Sequence, residues 1–265
     1  MPIKPLHPVT RLSQDEFGEI SYTVMGHVFN IHSDLGRFFD ERIYKRELAS
    51  RMGGVELEFP ITVSHGTYSA KYFLDALIAN GAAFEFKTVE VLTPRHQGQL
   101  YNYLLLLDLA HGKLVNMRPE SVTHEFINST VRPAERHAFE VVADRWNCSI
   151  DCSEVVLQTM VALLRDWGAG LELGLYEAAL THFLGGEEQV LRKVNVRGES
   201  RSLGQQPMRL AADGVAFKLT AFNSEDNLFE QHARRLLQHV ELRAILWINI
   251  ALRSVTFITI EEGGL

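Results

Sequence analysis

The sequence predicts a mixed α/β protein that contains two copies of one domain. Three observations support this fold class: amphipathic helices alternate with short strands, both halves show the same order of elements, and matching residues recur at a nearly constant interval. The 265 residues, 46% of them hydrophobic, suffice for two domains of ordinary size. We expect these domains at residues 15–131 and 140–262.

The segment SYTVMGHVFNIHSDLG predicts the first long helix, at residues 21–35. Its apolar residues recur at intervals of four, three and four, the spacing of one helical face, at Val24, Val28, Ile31 and Leu35. The segment SEVVLQTMVALLRDWG has the same spacing and predicts a corresponding helix at residues 153–167. Each half therefore opens on an amphipathic helix.

The second helix repeats the first in a fixed register, in which Val156 matches Val24 and Tyr176 matches Tyr44. Near the ends of the two halves, WINIALRSVT matches LVNMRPESVT, but the register has moved on by one position, as a single inserted residue would cause. Two amphipathic helices often look alike by chance. A near-constant register over most of a domain instead indicates an internal duplication.

The hairpin YFLDALIANGAAFEFK carries the first candidate site. Asn-Gly ordinarily marks a two-residue turn, but that register would point Asp75 away from Glu85 and Lys87. A three-residue loop from Ala79 to Gly81, with Gly81 left-handed, places Asp75 opposite Glu85 on one face. Two carboxylates there can bind Mg²⁺ or Mn²⁺, while Lys87 holds or deprotonates a water, as phosphodiester hydrolysis requires.

A structural salt bridge of Lys87 with Asp75 or Glu85 explains these residues equally well when they are taken alone. The helix that follows has a clear start, because Thr93 can cap free amides and Pro94 suits the first helical position. Gln99 and Tyr103 then follow four residues apart on one face of this helix.

The order of these motifs resembles that of the PD-(D/E)XK nuclease superfamily, and more narrowly that of its GxxExxY-type proteins. The resemblance covers roughly residues 18–128 and rests on IHSDLG, DERIY, YFLDALI, FEFKTVEVLTPRHQGQLYNYL and LVN. It implies a restriction-endonuclease-like mixed sheet flanked by helices. Phe38 stands where the family has the glycine that opens its GxxExxY motif, so the loop before Glu41 is expected to differ.

The resemblance also implies roles for six residues of the first half. The metal-binding acids would be Glu41, Asp75 and Glu85, with Glu41 approaching from the first helix. The catalytic lysine would be Lys87, and the accessory polar residues would be Gln99 and Tyr103.

By the same comparison, the second half is a degenerate copy of this nuclease domain. Leu173 occupies the position of Glu41, and the positions of the other five residues hold, in chain order, Met208, Lys218, Thr220, His232 and Leu236. Without an acidic pair this half cannot bind a divalent cation. We interpret it as a pseudo-nuclease that replaces the second subunit of a dimer, packed about a pseudo-twofold axis, with an independent ligand-binding domain as the alternative.

Charge and hydropathy limit the possible partners and the location. The net charge of −7 argues against a broad basic surface that coats nucleic acid, so a polyanion must meet a local patch. The basic residues Arg42, Lys45, Arg46 and Arg51 either contact a phosphate backbone or form a solvated helix face. No apolar run reaches the roughly 18 residues of a membrane helix, and no signal peptide opens the chain, so we expect a cytoplasmic protein without a membrane partner.

These inferences lead to one function and one alternative. We predict a Mg²⁺- or Mn²⁺-dependent nuclease with one competent site per chain, acting on either DNA or RNA. The alternative is a non-catalytic module for nucleic-acid binding or assembly, built on the same fold.

Overall fold

The structure is a computed structural model that describes residues 2–223 and 227–261. The described residues form two compact units, drawn from Met1–Ser64 with Ser69–Pro133 and from His65–Tyr68 with Ala134–Leu265. Glu262, the last residue of the predicted second domain, lies outside the described residues. No helix in the described ranges combines the length and apolarity that a membrane crossing requires.

The first unit is a six-stranded mixed sheet with helices against it. Its strands lie in chain order, β1 to β6, with β4 and β5 parallel and with antiparallel pairing of β1 to β2, β3 to β4 and β5 to β6. The elements are β1 (Ile3–Pro5), α1 (Gln14–Leu35), α2 (Glu41–Arg51), β2 (Val55–His65), β3 (Tyr68–Ile78), β4 (Ala82–Lys87), α3 (Pro94–Leu107), β5 (His111–Asn116) and β6 (Thr123–Asn128).

The second unit is also a six-stranded mixed sheet, in the order β7-β12-β11-β10-β9-β8. Strands β10 and β11 are parallel, as are β7 and β12, and the other pairings are antiparallel. The elements are α4 (Pro133–His137), β7 (Glu140–Arg145), α5 (Ser153–Trp167), α6 (Leu173–Phe183), α7 (Glu187–Val190), β8 (Leu191–Arg197), β9 (Ser202–Ala212), β10 (Val215–Thr220), α8 (Asn227–Leu237), β11 (Ala244–Ile250) and β12 (Ser254–Glu261).

Five consecutive strands of each unit share one topology, so the predicted fold class and its internal duplication are confirmed. Strands β2 to β6 and β8 to β12 each form a sheet in chain order, with the parallel pair at the same place. The pairing of Ala83 with Gly112 recurs in the later register as that of Ala216 with Ile245. The outer strand differs, because β1 extends the sheet beside β2 whereas β7 extends it beside β12.

Side-chain bonds repeat in the same registers. The Asn116 amide donates to the Val89 carbonyl (2.7 Å), and at the matching positions the Asn249 amide donates to the Phe222 carbonyl (3.0 Å). In both units the tyrosine of the second helix, Tyr44 or Tyr176, donates to the carbonyl of the glycine that ends the first long helix. The duplication therefore preserves bonds that hold the turns of the fold.

The predicted helices form, and α1 starts earlier than predicted. It begins at Gln14 because Ser13 and Glu16 form a capping box, in which the Ser13 amide donates to the Glu16 carboxylate (2.8 Å). Helix α5 spans the predicted residues, and α3 begins at Pro94 as predicted. There the Thr93 amide donates to the His96 ring (3.1 Å).

One face of the first sheet packs under α1 and α2. Alternate residues of β3 and β4, among them Ala76, Ile78, Phe84 and Phe86, enter this core. Because side chains alternate along a strand, Asp75, Glu85 and Lys87 project from the other face.

The β3–β4 hairpin has the predicted three-residue loop, since Ile78 pairs with Ala82. The prediction that Gly81 is left-handed is wrong: the left-handed residues are Ala79 and Asn80, with φ of 48° and 57°. Gly81 is needed for a different reason, because a Cβ there would collide with the Thr10 carbonyl oxygen. The segment before α1 crosses the hairpin at this point, where the Thr10 amide donates to the Asn80 carbonyl (2.7 Å).

Gly81→Ala should lower the free energy of unfolding by about 1–3 kcal/mol, as expected when an inserted methyl group meets packed backbone. Urea unfolding of the full chain measures this loss. Gly26→Ala in α1 is the matched control, because its added Cβ meets no atom within 4 Å beyond the neighbouring residues and backbone of its own helix, and it should be neutral or stabilising. Equal effects of the two substitutions would contradict the crossing.

Candidate active site

The candidate site begins where strands β3 and β4 part. Their pairing extends to Ala76 and Phe84, and beyond it the Asp75 carboxylate accepts a hydrogen bond from the Phe86 amide (2.8 Å). A side-chain oxygen thus satisfies an amide where main-chain pairing ends. Asp75 and Glu85 are buried here, with 6% and 1% of their surfaces exposed.

The structure brings Asp75, Glu85 and Lys87 together. Lys87 Nζ donates to Glu85 Oε1 (2.7 Å) and lies 3.9 Å from Asp75 Oδ2. The second oxygen of Glu85, Oε2, is buried and has no hydrogen-bond partner among the described residues. A buried carboxylate oxygen without a donor is costly, and protonation, a hydrogen-bond donor or a bound cation can each remove that cost.

Lys45 of α2 lies in a different environment from the one predicted. Its sequence pattern grouped it with basic residues that face phosphate or solvent, yet only 4% of it is exposed. Its Nζ donates to Asp75 Oδ1 (2.6 Å), lies 3.2 Å from Glu41 Oε1 and also contacts the Glu58 carboxylate. We name this group the acid–lysine cluster: it contains Glu41, Lys45, Glu58, Asp75, Glu85 and Lys87.

Glu41 reaches the cluster from a different element than predicted. It is the first residue of α2, not part of the first helix, because α1 ends at Leu35, with Gly36 as its C-cap, and α2 begins after Asp40. Since Lys45 follows Glu41 by one helical turn, the i, i+4 spacing is the sequence signal that could have identified Lys45.

Glu58 joins the cluster from strand β2, and sequence pattern gave no sign of it. Its φ of 51° is uncommon for a residue with a side chain and breaks the alternation of the strand. A prediction by strand parity therefore cannot place this carboxylate.

The pKa values of the cluster show an excess of negative charge. Burial, followed by the Asp75 charge, raises the pKa of Glu85 to about 8, against the opposing effect of Lys87. Burial and Asp75 also raise the pKa of Glu41. Burial alone would lower the pKa of Lys87, but Glu85 and then Asp75 outweigh it, so the pKa lies above its usual value and Lys87 is an ammonium.

Gln99 and Tyr103 lie together on α3, which packs against β4 and β5. The Gln99 amide donates to the Tyr103 hydroxyl (3.4 Å), and the Tyr103 ring packs edge-on against Tyr72 at 6.4 Å. His32, which belongs to the IHSDLG segment of α1, contacts the Pro119 carbonyl oxygen (3.1 Å). That contact fits a packing role for His32.

The oxygen atoms of the cluster suit Mg²⁺ or Mn²⁺, and the unpartnered Glu85 oxygen is an available ligand. The expected set of three acids is not assembled as a metal cage, since no three His, Cys, Asp or Glu side chains are so arranged in the described ranges. The physical reason is Lys45, whose ammonium lies between Glu41 and Asp75. Mg²⁺ commonly uses only one or two carboxylates with water and phosphate, so the donor chemistry still fits.

In the second unit the positions equivalent to Glu41, Asp75 and Glu85 hold no carboxylate. Thr220, in the place of Lys87, accepts from the Trp247 indole (2.8 Å) and donates to the Asn249 side chain (2.8 Å). This hydroxyl is buried and fully engaged in the scaffold.

Comparisons with known proteins bear on the first unit. The comparison with curated proteins found no match. A solved structure described as "Crystal structure of SSO0001" is similar at 24% sequence identity and a TM-score of 0.29, over 46% of this chain and 62% of that chain. The chain thus spans less than two thirds of that structure. Residues 18–128, which include all six predicted site residues, match the family model described as the PD-(D/E)XK nuclease superfamily.

Proposed function

We propose that the first unit is a metal-dependent nuclease of the GxxExxY type, which hydrolyses phosphodiester bonds of DNA or RNA in the cytoplasm. One observation carries the proposal: a buried carboxylate oxygen of Glu85 has no partner among the described residues, beside Lys87 and Asp75, within the matched segment. The second unit, in this proposal, is a pseudo-nuclease and serves as a built-in partner.

Charge balance supports a divalent cation. The cluster has four carboxylates, from Glu41, Glu58, Asp75 and Glu85, but only two ammonium groups, from Lys45 and Lys87. Fully ionised, it has an excess of two negative charges, which one Mg²⁺ or Mn²⁺ would neutralise. The raised pKa of Glu85 has the same origin, because protonation is the other way to reduce that excess.

In this proposal Glu85 and Asp75 hold the metal, and Glu41 contributes when Lys45 moves away. When bound, the metal supplies charge that stabilises the phosphate and lowers the pKa of a bound water. Lys87, an ammonium within hydrogen-bond reach of Glu85, stabilises negative charge that develops on the phosphate and can donate a proton to an oxygen. Gln99 and Tyr103 contribute an amide and a hydroxyl from α3, and the Gln99 amide donates to the Tyr103 hydroxyl.

The alternative is a non-catalytic module that binds nucleic acid or supports assembly. A specific observation favours it: Lys45 and Asp75 tie α2 to β3, and Glu177 and Arg209 make an ion pair (2.9 Å) between the corresponding elements of the second unit. Glu177 occupies the position of Lys45 in the repeat, and its partner Arg209 lies one residue after Met208, which occupies the position of Asp75. An ion pair at this place therefore has a structural use in both units.

The chain of residues 1–265 with Mg²⁺ or Mn²⁺ should cleave DNA or RNA, and Lys87→Ala should reduce the rate by about 10²–10⁴-fold, as expected for loss of a proton donor or charge stabiliser. A gel assay on single- and double-stranded DNA and RNA measures this. The matched control is Lys4→Ala, which removes an exposed lysine of β1. Equal rates for wild type and Lys87→Ala would contradict the assignment.

Mn²⁺ should raise the melting temperature of the wild type, since an ion bound only to the folded state stabilises it by about 2.7 kcal/mol at a hundredfold excess over Kd. Glu85→Gln should abolish this stabilisation and itself raise stability without metal near neutral pH, because burial and the Asp75 charge disfavour ionised Glu85 in the folded state, as its raised pKa indicates. Asp75→Asn should also abolish it but lower stability, since both oxygens of Asp75 accept hydrogen bonds. Lys218→Met should leave the metal effect unchanged, and an unaltered wild-type melting temperature would favour the non-catalytic module.

Lys45→Met should increase Mn²⁺ affinity by about tenfold, equivalent to about 1.4 kcal/mol, because it removes the ammonium that competes for Asp75 and Glu41. Direct Mn²⁺ titration by electron paramagnetic resonance measures the affinity without relying on cleavage. Arg46→Met, at an exposed neighbour on α2, is the control. A variant that loses stability and gains no affinity would show that the Lys45 contact is purely structural.

A further inference from the structure

The second unit has a cleft at the place that the candidate active site occupies in the first. The cleft has a volume of about 550 Å³ and lies among β9, β10 and α8. Four of its lining residues occupy the positions of Asp75, Glu85, Gln99 and Tyr103 in the repeat: Met208, Lys218, His232 and Leu236. The volume is in the range of small-ligand pockets, about 300–1,000 Å³.

The wall of the cleft is largely apolar. Met208, Leu236 and Phe229 are half-buried in it and pack on the core of the second unit. The Phe229 ring lies 4.6 Å from the Trp247 ring, which fixes its position against the strands. Half-buried apolar and aromatic side chains of this kind suit the face of a planar ring.

The polar groups of the cleft favour an anion. Lys218 is exposed between the buried residues Phe217 and Leu219, and its side chain makes no hydrogen bond or ion pair within residues 2–223 and 227–261. His232 is likewise exposed at the cleft. The remaining charges, Arg209 and Glu177, neutralise each other at 2.9 Å.

Lys218 reverses the charge of the position it occupies. The corresponding residue of the first unit is Glu85, whose carboxylate repels a phosphate when it is ionised. An ammonium at the same place attracts a phosphate directly.

We propose that this cleft binds one nucleotide of a single-stranded nucleic acid without any divalent metal. The phosphate contacts Lys218 and His232, and the base packs against Phe229, Met208 and Leu236. Stacking on an aromatic residue beside a cation is the general chemistry of single-strand binding. The choice of a nucleic acid strand over a free nucleotide rests on the proposed function, whereas the ligand chemistry rests on the cleft.

The test uses the full chain in EDTA with fluorescein-labelled 12-nucleotide single strands of DNA and RNA, monitored by anisotropy. Lys218→Met should weaken binding about tenfold. It should also reduce the slope of log K against log[salt] by about 0.7, the value for one phosphate contact on a single strand. Lys193→Met, at an exposed lysine of β8 outside the cleft, should change neither quantity. Equal losses in the two variants, or no binding of either strand, would overturn the proposal.

A second arm separates the possible ligands. Adenosine monophosphate should displace the strand weakly, and inorganic phosphate at the same concentration should not. If the mononucleotide binds as tightly as the strand, the cleft belongs to a free nucleotide and the assignment to a strand is wrong. If inorganic phosphate displaces the strand as well as adenosine monophosphate does, the apolar wall of the cleft has no role in binding.

Failure of the proposed nuclease activity can be distinguished from failure of strand binding in the cleft, because no step of this binding assay requires metal. Binding of the strands in EDTA, and its loss in Lys218→Met, is the expected result whether or not the chain cleaves nucleic acid with Mg²⁺ or Mn²⁺. If Lys218→Met binds the strands as tightly as the wild type does, the strand occupies another site and the cleft is not its site.

Discussion

The hydrogen bond from the Phe86 amide to the Asp75 carboxylate is the constraint on which the candidate site depends. Strands β3 and β4 separate at this point, and a buried amide without a partner would cost about 1–3 kcal/mol. Because one Asp75 oxygen satisfies that amide, the other is held toward α2, where Lys45 approaches within 2.6 Å. Backbone geometry thus fixes the position of the carboxylate at the centre of the cluster.

In each unit an ion pair ties the second helix to a strand, α2 to β3 in the first unit and α6 to β9 in the second, but the signs of the two charges differ. Lys45 contacts Asp75 in the first unit, whereas Glu177 contacts Arg209 in the second. Either polarity can hold a helix against a strand, since the attraction depends only on opposite signs. Chemistry with a cation or an anion does depend on the sign, and the helix residue of this ion pair is a cation in the first unit and an anion in the second.

The bonds that both units retain belong to the scaffold. The Asn116 and Asn249 amides each donate to a main-chain carbonyl shortly after β4 and β10, respectively. The Tyr44 and Tyr176 hydroxyls each donate to the carbonyl of the glycine that ends the first long helix of the unit. These groups are buried polar atoms whose loss would leave donors and acceptors unsatisfied. The carboxylates of Asp75 and Glu85 are not retained in the second unit, where Met208 and Lys218 occupy their positions.

Local pattern in the sequence was enough for the duplication, the helices at 153–167 and from Pro94, and the three-residue hairpin loop that sets Asp75 opposite Glu85. These features follow from periodicity, parity and turn length, which are properties of neighbouring residues. Only the tertiary structure placed Lys45 and Glu58 in the cluster and assigned Gly81 to a chain crossing rather than a left-handed turn. The positions of Lys45 and Gly81 depend on contacts between segments distant in sequence, α2 against β3 and residues 10–12 against the hairpin loop. The position of Glu58 depends on the irregular backbone of β2.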